Sequence, residues 1–294
     1  MADFRGDQAA GLRRLLGRPQ LRIITFAAGS IGVGKSASVA NLAAALARVD
    51  REVLVVDEHA EDGIAAYHGA FAAHDLQQAI TREKPISEVL VAVAPRIRIL
   101  PAATVVRHLA RLSAAEQRVL LTCLAEIVPQ PDVVLVDASL DHPLGFSPLG
   151  LAAQETVIVV SPDVQAITEA YILIKKVSLG YARKQFRILV NKAHGGGEAR
   201  AIHDNMARVS DNRGLARLDY AGHVPFDEYL RQAARLCQPV TALFPESPAA
   251  RAYQQVADDL LNWPVDHTDS GGLQHFVQLL LNLSQRMNPT AIYA

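Results

Sequence analysis

Residues 29–36 read Gly29-Ser30-Ile31-Gly32-Val33-Gly34-Lys35-Ser36, directly after an apolar run at 21–27 and at the start of a helical stretch at 35–48. Few folds accept that order, because a glycine-rich turn between strand and helix points its backbone N–H groups inward as a cradle for phosphate oxygens. The helix N-terminus adds partial positive charge, Lys35 reaches the outer phosphates, and the Ser36 hydroxyl is a ligand for Mg²⁺. The rest of the chain is patterned to match. Apolar runs at 53–56, 97–100, 133–136, 156–160, 186–190 and 220–224 alternate with helical spacing at 114–128, 164–179 and 198–212, and Ser113 with Glu116 forms a capping box for the first of these helices. Several runs are continuous rather than alternating, as strands covered by helices on both faces require. The expected fold is α/β, a doubly wound, mostly parallel sheet of the P-loop NTPase kind. Asp137 ends the run 133–136 and is placed to hold the metal.

Composition limits the partners. The chain has 294 residues, half of them hydrophobic, enough for one large core. Its 29 basic and 30 acidic side chains leave a net charge of −1, so no broad positive field exists to bind nucleic acid strongly without regard to sequence. Cys123 and Cys237 lie in apolar, helical-looking stretches without metal-type spacing and are expected to be buried reduced thiols. The amino terminus lacks the apolar core of a signal peptide, and no run approaches the ~20 residues needed to span a bilayer. A cytoplasmic protein with at most peripheral membrane contact is expected. His142, His194, His203 and His223 read as isolated, and neither a zinc motif nor a nucleophile elbow is present.

Two appendages flank the body, giving an expected division into 1–18, 19–264 and 265–294. In the first, Ala9, Leu12, Leu15 and Leu16 share one helical face, with Asp7 as a cap and Arg13, Arg14 and Arg18 supplying positive charge. The second follows a polar break at 263–272 and runs 273–287. There Leu273, Phe276, Val277, Leu280 and Leu281 form a broad apolar side, which is expected to act as a reversible membrane anchor, the alternative being a helix that caps the core. With Arg286 as its one basic residue, its attraction to anionic lipid is small.

The order of these parts resembles the MinD/ParA branch of deviant Walker ATPases. More specifically, Asp7-Gln8-Ala9-Ala10-Gly11-Leu12-Arg13 resembles the amino-terminal helix motif of the FlhG/FleN family of flagellar-number regulators. The segments Ala166-Ile167-Thr168-Glu169-Ala170-Tyr171, 186–191, Val224-Pro225-Phe226-Asp227 and Trp263-Pro264 continue the likeness in order. The resemblance implies ATP or ADP with Mg²⁺ as cofactors, metal ligation by Ser36, Asp57 and Asp137, and an adenine site near Asn191, Pro225 and Asp227. It also implies an FlhF-type GTPase as partner for Asp7, Gln8, Leu12 and Arg13, together with flagellar switch proteins, a flagellar transcription activator and an ATP-dependent homodimer.

The departures from the pattern bear on mechanism. The family's first loop lysine, which reaches the partner's phosphates across the dimer, is Ser30 here. The family's second carboxylate after the second strand, which orients the attacking water, is His59. Glu58 or Glu61 would replace it only if the backbone placed them differently. Phosphoryl transfer is catalysed mainly by positioned charge, and a lost arginine-finger-type cation lowers the rate by a factor of ~10³ to 10⁵. Binding is thus expected without efficient hydrolysis, with Asp57, His59 and Asp137 the candidates for any residual catalysis and a weakened dimer. The rival readings are a ParA-like partition ATPase, which the near-neutral charge disfavours, an ATP-dependent amidoligase, whose charged substrate pocket is not visible, and a nucleotide-free scaffold of the same fold.

Overall fold

The computed structural model describes residues 21–60, 63–140, 147–264 and 272–286. Eight strands form one sheet: β1 (Arg22–Ala27), β2 (Val53–Asp57), β3 (Val91–Ala94), β4 (Ile97–Pro101), β5 (Val133–Asp137), β6 (Glu155–Val160), β7 (Gln185–Ala193) and β8 (Arg217–Pro225). Their spatial order is β3-β4-β2-β5-β1-β6-β7-β8, and every pair is parallel except β3 with β4. The doubly wound α/β sheet expected from the apolar runs is therefore present. β3 was not anticipated. It is short and only partly buried at the sheet's edge, and its apolar residues follow directly on those of the helix Ile86–Val89, so they do not stand out as a separate strand. β7 and β8 extend past their apolar centres because their ends carry polar residues at the sheet margin.

The central strands send alternate residues to two cores. Ile24, Phe26, Val53, Val55, Val133 and Leu135 face the helix that follows the glycine loop, Lys35–Arg48, within one cluster. That helix is rich in alanine, buries ten residues, and packs on the sheet beside the helix Pro248–Asn262, which covers β8. Ile23, Leu54, Val56, Val134 and Val136 face the opposite side, where the helix Ala114–Ala125 and the C-terminal helix Gly272–Arg286 cover them.

This second face holds the C-terminal helix packed on the core. Leu273, Phe276, Val277, Leu280 and Leu281 are all buried, Val277 completely, against Val105, Leu109, Leu120 and Leu124. The apolar side expected to meet lipid is seated on the sheet's own covering layer, because a doubly wound sheet needs cover on both faces. Cys237 is corrected: it is exposed at a turn with φ 53°, while Cys123 is buried as expected. His203 and His223 are not isolated either. The His203 ring meets Tyr220 edge-on with centroids 5.3 Å apart, and the Tyr220 hydroxyl lies 3.1 Å from His223 Nδ1. Among the described residues no helix is long and apolar enough to cross a membrane. The amino-terminal segment, with Asp7, Gln8, Leu12 and Arg13, lies outside the described residues, as do Glu61 and His142.

Candidate nucleotide site

The glycine loop leaves the C-terminal end of β1, which is hydrogen-bonded to β5 on one side and β6 on the other. In the ladder between β2 and β5, Asp57 stands opposite Asp137, so two carboxylates from distant parts of the chain meet at one strand edge beside the loop. Ligands of open α/β sheets bind at such carboxyl ends. Gly34 sits at φ +88°, and a side chain there would place its Cβ 2.2 Å from Asn191 Nδ2. Only glycine fits both the left-handed backbone and the close approach.

The loop residues are where the motif requires them. Ile31 is exposed, Val33 and Lys35 are buried, and Ser30 and Ser36 are partly accessible, with Ser36 in the first turn of the helix. Strand β7 braces the cradle from behind: Asn191 Nδ2 donates to Val33 O at 2.8 Å, and Lys192 Nζ donates to Gly32 O at 2.6 Å. In front, Lys35 Nζ donates to Asp137 Oδ1 at 2.6 Å and to Ala138 O at 2.5 Å, and lies 3.3 Å from His59 Nε2. Asp57 Oδ1 is 3.0 Å from His59 Nδ1 and accepts the His59 backbone N–H at 3.1 Å, while its Oδ2 accepts from Ile64 N at 2.7 Å. Asp137 is fully buried. Its Oδ2 lies 3.2 Å from His59 Nδ1 but off the bonding direction, and it has no hydrogen-bond partner.

Charge explains the ionisation of this group. Burial pushes the Asp137 carboxyl up, yet Lys35 and His59 outweigh it and hold it below its ordinary value. For His59, burial works downward, and the carboxylates of Asp137 and Asp57 overcome it to raise the imidazole to about 9. Two carboxylates, an ammonium and an imidazole thus share one pocket. A divalent cation fits the donor set, because a buried carboxylate oxygen without a partner calls for a positive group.

Some candidates serve other tasks. Asn191 is buried beneath the loop and contacts it rather than open space. Asp227 is 8% exposed and uses both oxygens on helix starts, accepting from Tyr229 N at 2.9 Å and from Ala249 N at 2.9 Å. Contact with a base would require releasing one of these bonds; Pro225 ends β8 two residues before Asp227, paired with Ala193. Glu58 is more involved than the sequence suggested, but with different neighbours. Its Oε1 accepts from Ser147 Oγ at 2.5 Å and its Oε2 from Ser139 N at 2.9 Å, and burial raises its carboxyl to about 7. It ties the end of β2 to the segment after β5. The one available signal was a Glu inside an Asp-x-His run at a buried strand end.

Comparison with known proteins agrees with this geometry. An AAA domain family matches residues 21–188. The antiactivator FleN of Pseudomonas aeruginosa is 32% identical over 89% of this chain and 94% of its own length. The flagellum site-determining protein YlxH of Helicobacter pylori is 24% identical over 82% of this chain and 82% of its own length. Among solved structures, the MinC:MinD cell division complex of Aquifex aeolicus superposes with a TM-score of 0.64 at 20% identity, covering 83% of this chain and 97% of that one.

Proposed function

The chain belongs to the MinD/ParA-like AAA domain family and, within it, to the FleN/FlhG branch, and from that premise we propose that it is an adenine-nucleotide-dependent regulator of flagellar number and placement. The observation that carries this reading is the joining of an intact cradle, Gly29 to Gly34, with Lys35, Ser36, Asp57 and Asp137 in one pocket. ATP or ADP would bind through the backbone of 29–34 and through Lys35, with Ser36, Asp57 and Asp137 holding Mg²⁺. Hydrolysis would be slow or absent, since Ser30 offers no cation and His59 replaces a water-orienting carboxylate. An ATP-dependent homodimer would be weakened for the same reason.

The surrounding parts fit a switch. The segment 1–18, through Asp7, Gln8, Leu12 and Arg13, would dock on an FlhF-type GTPase, and the body would work with flagellar switch proteins and a flagellar transcription activator. The C-terminal helix would reach the membrane only after leaving its seat. Beneath it lies an apolar void of about 30 Å³ bordered by Leu54, Leu100, Phe276 and Val277, so the seat is imperfectly filled and release is less unfavourable than for a fully packed element.

Calorimetric titration of the full chain with ATP and with ADP in Mg²⁺ tests the reading. Binding of both, abolished by Lys35→Ala and accompanied by little phosphate release, is the expected result. Absence of binding would leave a nucleotide-free scaffold. Turnover at the level of an intact relative, lost in His59→Ala, would show that His59 has taken over the water-positioning task and would overturn the claim of slow hydrolysis.

A further inference from the structure

Among the described residues, one group of metal-capable side chains brings three ligand atoms within 4.8 Å of one another: Asp57, His59 and Asp137. We infer that His59 is a direct ligand of the divalent cation, through Nδ1, and that the site thereby favours a first-row transition ion such as Mn²⁺ or Co²⁺ over Mg²⁺. The setting, a cation arriving with a nucleotide, rests on the function proposed above; the three donors belong to the chain itself.

The spacing supports coordination. Nδ1 of His59 stands 3.0 Å from Asp57 Oδ1 and 3.2 Å from Asp137 Oδ2. Metal bonds of about 2.0–2.2 Å at right angles separate neighbouring donors by about 3 Å, so Nδ1 already stands at that spacing from each carboxylate oxygen. Independent of spacing, Asp137 Oδ2 is buried without a hydrogen-bond partner and faces this point. Lys35 does not fill it. Its ammonium contacts the outer atoms of the same residues, Asp137 Oδ1 and His59 Nε2, and leaves the inner three to one another.

The donor chemistry sets the preference. Mg²⁺ takes oxygen ligands and retains water, whereas imidazole nitrogen raises affinity along the series from Mn²⁺ through Co²⁺.

The experiment uses the full chain with Mn²⁺ or Mg²⁺, each alone and with ADP, reading free Mn²⁺ by electron paramagnetic resonance and bound Mn²⁺ by electron spin-echo modulation. With ADP, Mn²⁺ should bind at least about tenfold tighter than Mg²⁺, and its echo should carry the modulation of a coordinated imidazole nitrogen. His59→Asp and His59→Gln should both erase the nitrogen signal, and His59→Asp should return the preference toward Mg²⁺; Trp263 emission verifies that both variants fold. Mn²⁺ bound without nitrogen modulation, or no Mn²⁺ bound in either condition, overturns the inference. Nitrogen modulation from Mn²⁺ alone with no ADP binding would uphold the ligand set and reject the nucleotide reading instead.

Discussion

Removing the Lys35 ammonium while leaving its partner in place isolates the most consequential contact in the pocket. Asp137 is 0% exposed and receives Lys35 Nζ at 2.6 Å, so Lys35→Met strands a carboxylate in a low-dielectric interior. Breaking a buried pair from one side destabilises by about 3–5 kcal/mol. His59 beside Asp137 Oδ2 compensates in part, which places the expected loss at the lower end, about 3 kcal/mol. For a chain of this size each kcal/mol moves the melting temperature by about 2–4 °C, so a drop of roughly 6–12 °C is expected. Asp137→Asn in the same background removes the stranded charge, and the double variant should recover about 2 kcal/mol of the loss. Urea unfolding without nucleotide or added metal, followed by emission of the single tryptophan, Trp263, measures all four proteins. If the double variant loses the sum of the two single losses to within about 0.5 kcal/mol, the pair is uncoupled in solution and the account of the pocket's charge balance is wrong.

Further outcomes follow from other contacts. A Cβ on Gly29 would fall 2.2 Å from the backbone carbon of Glu169, so Gly29→Ala should destabilise by about 1–3 kcal/mol and weaken nucleotide binding; an unchanged melting temperature would mean that the loop does not lie against the helix Val164–Tyr181. Phe276→Ala should lower the urea midpoint by the equivalent of about 3 kcal/mol if the C-terminal helix is seated, and an unaltered midpoint would show it undocked. Phe276→Glu and Leu280→Glu should abolish sedimentation with anionic vesicles, whereas equal pelleting of variants and native chain would remove the case for a lipid-binding helix. His68 is held down at about 4 by burial against an ordinary 6.5, so it stays neutral in the folded protein while the unfolded chain takes up a proton. Its contribution is fully present above pH 6.5 and is lost as pH falls from 6.5 toward 4, by at most about 3 kcal/mol, and His68→Gln should flatten that part of a stability–pH curve.

Local order along the chain was enough to identify the body. A strand, a turn with glycines at 29, 32 and 34, a lysine and a helix form one contiguous stretch, and both the cradle and its chemistry are properties of that stretch. The runs at 53–56 and 133–136 announced central strands because burial on both faces leaves no polar alternation. β3 escaped because its apolar run at 91–94 continues that of the helix Ile86–Val89 and has no boundary of its own.

The pocket's composition is a different matter. Asp57, His59 and Asp137 were each recognisable, but their meeting depends on the register that sets Asp57 opposite Asp137, and register between distant strands leaves no mark in either strand alone. The same applies to Asp227, whose carboxylate serves two helix starts that only the folded chain brings together, and to Glu58, which binds Ser139 and Ser147. The C-terminal helix shows the limit most clearly. Its stripe of Leu273, Phe276, Val277, Leu280 and Leu281 is legible in the sequence as one apolar face. Apolar transfer is non-directional, so the stripe carries no information on whether lipid or the chain's own core supplies its cover, and the packing against Leu109, Leu120 and Leu124 is decided by the tertiary structure alone.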